Sequence, residues 1–364
     1  MRTHRVRHAY TSPLAAAAAA LVFALAAGSA GCGGERAEPP ADVTLVLAAY
    51  STPREVMEGH ILPAFAADWR AKTGKTLRVE ASYLASGAQT RAVLGGFAAD
   101  VVLLAMTPDV EKLASAGLVA KAWADGPDRG IVTSSVVAFA VRTGNPKGIT
   151  GWADLARPGV GVLMPNPKTS GGAMWNVSAL WGAALRGEAG FPAGDQEAAR
   201  DYLRAVLRNV AVLDKGGRES VITFEKGVGD VAITYETEIV AARLAGRTYD
   251  AVIPKLTLLI EIPAAVVATN AAAHGVTKEA EAFVTFLRSE TAQRAFARHG
   301  FRGPDGAKVA GGSDAAQGGP QAPVTAAPPI LFRISDLGGW KSVVPALFGP
   351  EGAFTKTWER VYAE

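Results

Sequence analysis

A two-lobed α/β fold with mainly parallel sheets is what this sequence predicts, and three observations predict it. Short β-rich apolar runs alternate with stretches of helical spacing, several strand-to-helix junctions carry a glycine or a small polar residue, and the 364-residue chain is long enough for two lobes. The runs at 43–49, 101–105, 210–213 and 231–235 read as strands, each followed by helical patterning. That order implies α/β domains with mainly parallel sheets. Ile61, Phe65 and Trp69 recur at helical spacing, as do Met174, Val177, Trp181 and Leu185, and both sets are expected to face the core. Pro63 interrupts the first set, so a kink or a restarted helix is expected there. Residues 305–329 are rich in Gly, Ala and Pro and read as a mobile loop.

The compartment follows from the first residues. Arg2, Arg5 and Arg7 form a cationic region, and residues 14–28 form an alanine-rich apolar stretch of export-signal length, too short for a comfortable membrane span. The stretch ends at Ser29-Ala30-Gly31-Cys32, small residues before the sole cysteine of the chain. This resembles the lipobox of bacterial lipoproteins, with Ser29 in place of the usual leucine. Residues 1–31 are therefore expected to be a lipoprotein signal peptide, with Cys32 as the lipidated N-terminus that anchors the protein in the periplasm. Residues 32–42, with Pro39-Pro40, read as a tether. A single cysteine allows no internal disulfide, so stability must come from burial.

Charge narrows the function. The whole chain has 37 basic against 34 acidic residues, and the three arginines of the signal account for the excess. The mature chain is formally neutral and offers no footprint for nucleic acid. His60, His274 and His299 are widely spaced in sequence and suggest no metal centre. An exported enzyme is disfavoured, since there is no mature thiol, no histidine cluster and no Gly-x-Ser-x-Gly elbow; no cofactor is expected.

Four junctions carry the chemistry. Thr52-Pro53-Arg54-Glu55 has the form of a capping box, with Thr52 as N-cap, Pro53 at N1 and Glu55 at N3. Ser86-Gly87, Ser170-Gly171-Gly172 and Gly216-Gly217 open the next three helices, where glycine lets a ligand approach the backbone. Helix N-termini present unpaired N–H donors and a positive partial charge, so several converging on one point hold an anion without a charged side chain. Four ordinary caps would leave the same trace in the sequence.

The run Asn166-Pro167-Lys168-Thr169-Ser170-Gly171-Gly172-Ala173-Met174-Trp175-Asn176 looks like the signature of sulfate/thiosulfate-binding proteins. Gly144-Asn145-Pro146-Lys147, Trp152-Ala153-Asp154-Leu155, Ala99-Asp100-Val101-Val102, Gly229-Asp230-Val231 and Gly338-Gly339-Trp340 are similar to that family in order and spacing. The resemblance implies a type II periplasmic binding protein fold, with two α/β lobes joined by hinge strands near 133–142 and 263–269. Lobe 1 would hold residues 43–137 and 267–364, and lobe 2 residues 138–266. Function would be capture of sulfate or thiosulfate and delivery to the permease of an ABC transporter, by a monomer that meets the membrane only through its lipid.

Carried over residue by residue, the family's backbone donors fall on Ser51, Ser86, Gly171, Gly172 and Gly217, and its hydroxyl donor on Ser170. The family's tryptophan indole falls on Tyr235, whose phenol also donates one hydrogen bond. Arg54 and Arg218 are expected to back up the helix ends without touching the anion, and Asn176 to support the site from behind. Trp175 and Trp181 read as packing. Ser51, Leu84-Ala85 and Glu219 depart from the family pattern; Glu219 reads as a solvated charge, though a carboxylate beside the ligand would accept the proton of hydrogen phosphate. Phosphate, molybdate and tungstate remain alternative ligands, and an anion-sensing lipoprotein an alternative role.

Overall fold

The computed structural model describes residues 41–309 and 329–363. The expected signal peptide, Cys32, the tether up to residue 40 and most of the 305–329 segment lie outside those residues.

Apolar runs build two groups of parallel strands. In the first, β1 (Val43–Tyr50) lies between β2 (Leu77–Leu84) and β3 (Val101–Leu103). Next comes β4 (Ile131–Val141). In the second group β5 (Val162–Pro165) lies between β6 (Val210–Asp214) and β7 (Val231–Tyr235). The short β8 (Asp250–Val252) pairs with β4; β9 (Leu256–Val266) follows, and β10 (Ile330–Phe332) pairs with it. The strands run in the order β2-β1-β3-β9-β4-β7-β5-β6.

The expectation of mainly parallel pairing holds in the two groups and fails between them. β4 and β9 pair antiparallel with each other, β9 also with β3 and β4 also with β7. Each is long enough to serve both groups: the first part of β4 lies on β9 and residues 137–141 lie on β7. Both expected hinge segments touch these strands, 133–142 along β4 and 263–269 at the end of β9. β4 is buried at every position, so it shows no alternation of polar and apolar residues. Two of its three polar residues are bonded: the Thr133 hydroxyl donates to the Arg302 carbonyl at 2.9 Å and the Ser134 hydroxyl to Gly303 at 2.6 Å.

The first helix is broken as Pro63 requires. A three-residue turn, α1 (Arg54–Val56), runs into a π-helical segment at Met57–Ile61, and α2 (Leu62–Thr73) restarts with the proline in its first turn. Pro63 has no N–H to offer the preceding turn, and the wider π spacing absorbs the loss. α2 ends at Gly74, which takes the left-handed conformation with φ 74°. Ile61 and Phe65 are buried as expected, Phe65 against Phe283 at 4.9 Å and Phe286 at 5.4 Å between ring centroids.

α3 (Ser86–Leu94), α4 (Thr107–Ser115), α5 (Gly171–Ala184), α6 (Gln196–Arg208), α7 (Gly217–Glu225) and α8 (Glu236–Leu244) complete the elements that matter to the site. On α5 the expected stripe packs against the core but is not the most buried side of the helix. Val177 is fully buried, but Met174, Trp181 and Leu185 are the partly exposed positions, while Trp175, Leu180 and Ala183 are inside. The helix is apolar nearly all round, so hydrophobic spacing cannot single out one face. Trp175 packs edge-on to Trp340 at 4.7 Å and donates its indole N–H to the Ala105 carbonyl at 2.7 Å.

Candidate functional site

Four helices of at least two turns, α3, α5, α7 and α8, begin just beyond the carboxyl ends of β2, β5, β6 and β7. The chain before α5 is shaped by Asn166. Its side-chain oxygen accepts the Lys168 N–H at 2.9 Å, and its carbonyl accepts the N–H groups of Thr169 and Ser170 at 3.1 and 2.9 Å. The Thr169 hydroxyl then donates to the Lys215 carbonyl at 2.8 Å, tying this turn to the chain that enters α7. Ser170 is thereby held as the N-cap of α5 in extended conformation, and the first N–H groups of α5 are left without helical partners.

These helix starts meet at one cavity. Its wall includes Ser51, Ser86, Ser170, Gly172, Gly217 and Tyr235, together with Asn176, all singled out in the sequence. Gly171 is not in the wall. It is buried behind it, where an added Cβ would stand 3.1 Å from the Met106 sulfur. The Ser86 hydroxyl is occupied, donating to Asp109 Oδ2 at 2.6 Å and accepting the Ala105 N–H at 3.0 Å, so this residue has only its backbone N–H for a ligand. The Asn176 amide donates to the Ile233 carbonyl at 2.8 Å and leaves its buried oxygen without a hydrogen-bond partner.

The predicted capping box at residues 52–55 is not formed. α1 starts at Arg54 with Pro53 at the cap position, no side chain caps it, and Glu55 reaches across to Arg218 instead. The ion pair with Arg218 takes away the Glu55 carboxylate that would have supplied half of the box. Thr52 lines the cavity. Neither predicted arginine does. Arg54 lies over the Tyr83 ring at 5.1 Å, and Arg218 bonds Glu55 at 2.9 Å and the Thr52 carbonyl at 3.4 Å. Glu219 is 41% exposed and 4.0 Å from Lys215 Nζ, the solvated charge that was expected.

The sequence reading passed over Tyr50, Thr234 and Glu238, all in the wall. A fifth junction would have flagged the last of these, because Tyr235 is the N-cap of α8 and Glu238 stands on its first turn. The Tyr50 and Tyr235 hydroxyls are buried and unpartnered. Burial first, and then the neighbouring Glu238, push the Tyr235 phenol well above its ordinary range; Tyr50 is raised by burial, by Tyr235 and by Glu238. Both therefore keep their protons at neutral pH and are available as donors. Glu238 is itself raised, by burial first. Arg218 and Thr52 favour its charged form, and Glu55 and Glu219 oppose it.

No lysine or arginine stands in this wall. Neutral donors at helix N-termini, gathered on one largely buried wall, suit a small anion. Residues 45–302 match the family described as bacterial extracellular solute-binding protein. This chain belongs to that family. As a solute-binding protein of this kind it works outside the cytoplasm and carries its ligand without transforming it.

Among named relatives of this solute-binding protein, the sulfate-binding protein of Synechococcus elongatus is 39% identical, covering 99% of each chain. The thiosulfate-binding protein of Pseudomonas aeruginosa is 35% identical over 74% of this chain and 80% of its own. Among solved structures, the sulfate-binding protein SubI from Mycobacterium tuberculosis aligns with a TM-score of 0.72 at 36% identity, covering 84% of this chain and 99% of its own. The two-lobed periplasmic binding fold expected from the sequence is the fold of this chain.

Proposed function

We propose that this protein captures sulfate or thiosulfate in the cavity between β1, α3, α5, α7 and α8 and delivers it to the permease of an ABC importer. The observation that carries the reading is the convergence of four helix N-termini with the Ser170 and Tyr235 hydroxyls on one wall that holds no cation. The names of the relatives support the choice of anion.

The anion is held by the backbone N–H groups of Ser51, Ser86, Gly172 and Gly217 and by the two hydroxyls, while Gly171 brings α5 close to Ala105 and Met106. Residues 43–137 with 267–364 form one lobe and 138–266 the other, and β4 and β9 act as the hinge on which they close. Cys32 carries the lipid that keeps the monomer beside its permease.

Titration calorimetry of residues 33–364 against sulfate, thiosulfate, phosphate and tungstate tests the reading. Sulfate or thiosulfate should bind at least about tenfold tighter than phosphate, since the proton of hydrogen phosphate facing a donor costs roughly 1–3 kcal/mol. Tighter binding of phosphate or tungstate would overturn it.

A further inference from the structure

Glu238 is out of place in a site for a dianion. It is 2% exposed, it lines the cavity, and neither of its carboxyl oxygens has a well-aligned hydrogen-bond partner, although Thr52 and Arg218 stand beside it. A charged carboxylate there would repel the ligand, whereas a carboxylic acid adds one more donor to a wall of donors. We propose that Glu238 is a specificity-determining residue of this cavity, standing as a neutral carboxylic acid whose O–H donates to a fully ionised oxyanion. The inference rests on the oxyanion reading above and says how that site accommodates an acid.

Burial and two neighbouring carboxylates favour the proton on Glu238, while Arg218 and Thr52 favour its charged form. The Tyr50 and Tyr235 phenols face it from the ends of β1 and β7, and Tyr249 interacts with it from the segment before β8. α7 contributes Arg218 and Glu219, and the chain at the start of α1 contributes Thr52 and Glu55. Arg218 is the cation among them. Its Nε lies 3.1 Å from Glu238 Oε2, out of line for a hydrogen bond, and its Nη2 is taken by Glu55 at 2.9 Å. Glu55 thus shares the positive charge that Glu238 would need to remain ionised, and Glu55 and Glu219 add negative charge of their own. Complete burial acts in the same direction and is the largest influence. A bound dianion would strengthen it further.

The test uses the mature protein, with glutamates carrying a carbon isotope at the side-chain carboxyl, and its Glu238→Gln variant. Infrared difference spectra at neutral pH should show the C=O band of a protonated carboxyl in the wild type, shifted by sulfate and missing from Glu238→Gln. By calorimetry Glu238→Gln should keep sulfate affinity within about threefold, because the amide N–H replaces the acid O–H. Carboxylate bands alone, a protonated band that sulfate does not move, or loss of more than about thirtyfold in sulfate affinity would each overturn the assignment. So would wild-type preference for phosphate that disappears in Glu238→Gln, which would make Glu238 an ionised acceptor. The wild-type spectrum with and without sulfate decides the matter even if the variant does not fold. Absence of sulfate and thiosulfate binding by the wild type would instead strike the oxyanion reading itself, and the inference with it.

Discussion

The backbone of Gly172 passes so close to the Tyr235 phenol that a Cβ added to Gly172 would stand 3.4 Å from the phenol oxygen. The same Cβ would lie 3.3 Å from Ser170 Oγ. Three of the proposed contacts, from two different helix starts, therefore share one small volume, and glycine is what keeps it open.

Gly172→Ala should accordingly separate stability from binding. Alanine is favoured over glycine inside a helix by about 1 kcal/mol, so the melting temperature should hold or rise. Sulfate affinity should fall more than about tenfold, because the methyl stands where the anion approaches its donors. Gly217→Ala is the control, since its Cβ would meet nothing within 4 Å. Calorimetry and thermal unfolding of the two variants check the contrast.

Tyr235→Phe removes one hydroxyl donor while keeping the buried ring. The loss should be roughly 1.5–3 kcal/mol, or about ten- to more than a hundredfold in sulfate affinity, with little change in the stability of the unliganded protein. Tyr235→Trp should recover part of it, because the indole N–H is again a lone donor. Unchanged affinity in Tyr235→Phe would show that the phenol does not reach the ligand.

Arg218→Met tests the charge state of Glu238 from the other side. Leaving an ionised buried carboxylate without its cation typically costs about 3–5 kcal/mol. If Glu238 is protonated, denaturant unfolding should show a loss of less than about 2 kcal/mol, reflecting mainly the bonds to the half-exposed Glu55 and to the Thr52 carbonyl.

His299 gives the fold a pH dependence away from the cavity. Its ring centroid is 5.0 Å from that of His60, although 239 residues separate them in sequence. Burial is the main cause that pulls its pKa below the ordinary imidazole value of 6.5; the Ala295 carbonyl and Glu55 act against it, and His60 and Arg298 act with it. A depressed histidine pKa means the unfolded chain binds more protons just below pH 6.5, so stability is full above that pH and is lost as pH falls. His299→Gln should remove that component, so thermal unfolding between about pH 7.5 and 5.5 should depend less on pH in the variant than in the wild type.

Cys32→Ser should abolish lipid labelling and move any processed protein into the soluble periplasmic fraction. Membrane retention of the variant, together with an unlabelled wild type, would refute the lipobox reading.

The strands 43–50 and 231–235 and the helix starts at Ser86, Gly171 and Gly217 were legible because local rules determine them: unbroken β-branched and aliphatic runs, glycine at the junctions, and a proline that had to interrupt the first helix. The run from Asn166 to Asn176 pointed to the site through its resemblance to a family signature, and Asn166 folds that turn locally through bonds two to four residues away. What local rules do not reach, tertiary structure decided. β4 and β9 are buried on both faces and have no polar alternation to betray their antiparallel course, and the apolar surface of α5 gave no sign of which side would be covered. The acid at the heart of the site was also hidden. In sequence Glu219 and Glu238 are two acids on the first turns of two helices; only the packing of α7 and α8 leaves one in water beside Lys215 and encloses the other with two phenols and a shared arginine. A carboxyl group's chemistry is set by the water and charges around it, and those come from residues far apart in the chain.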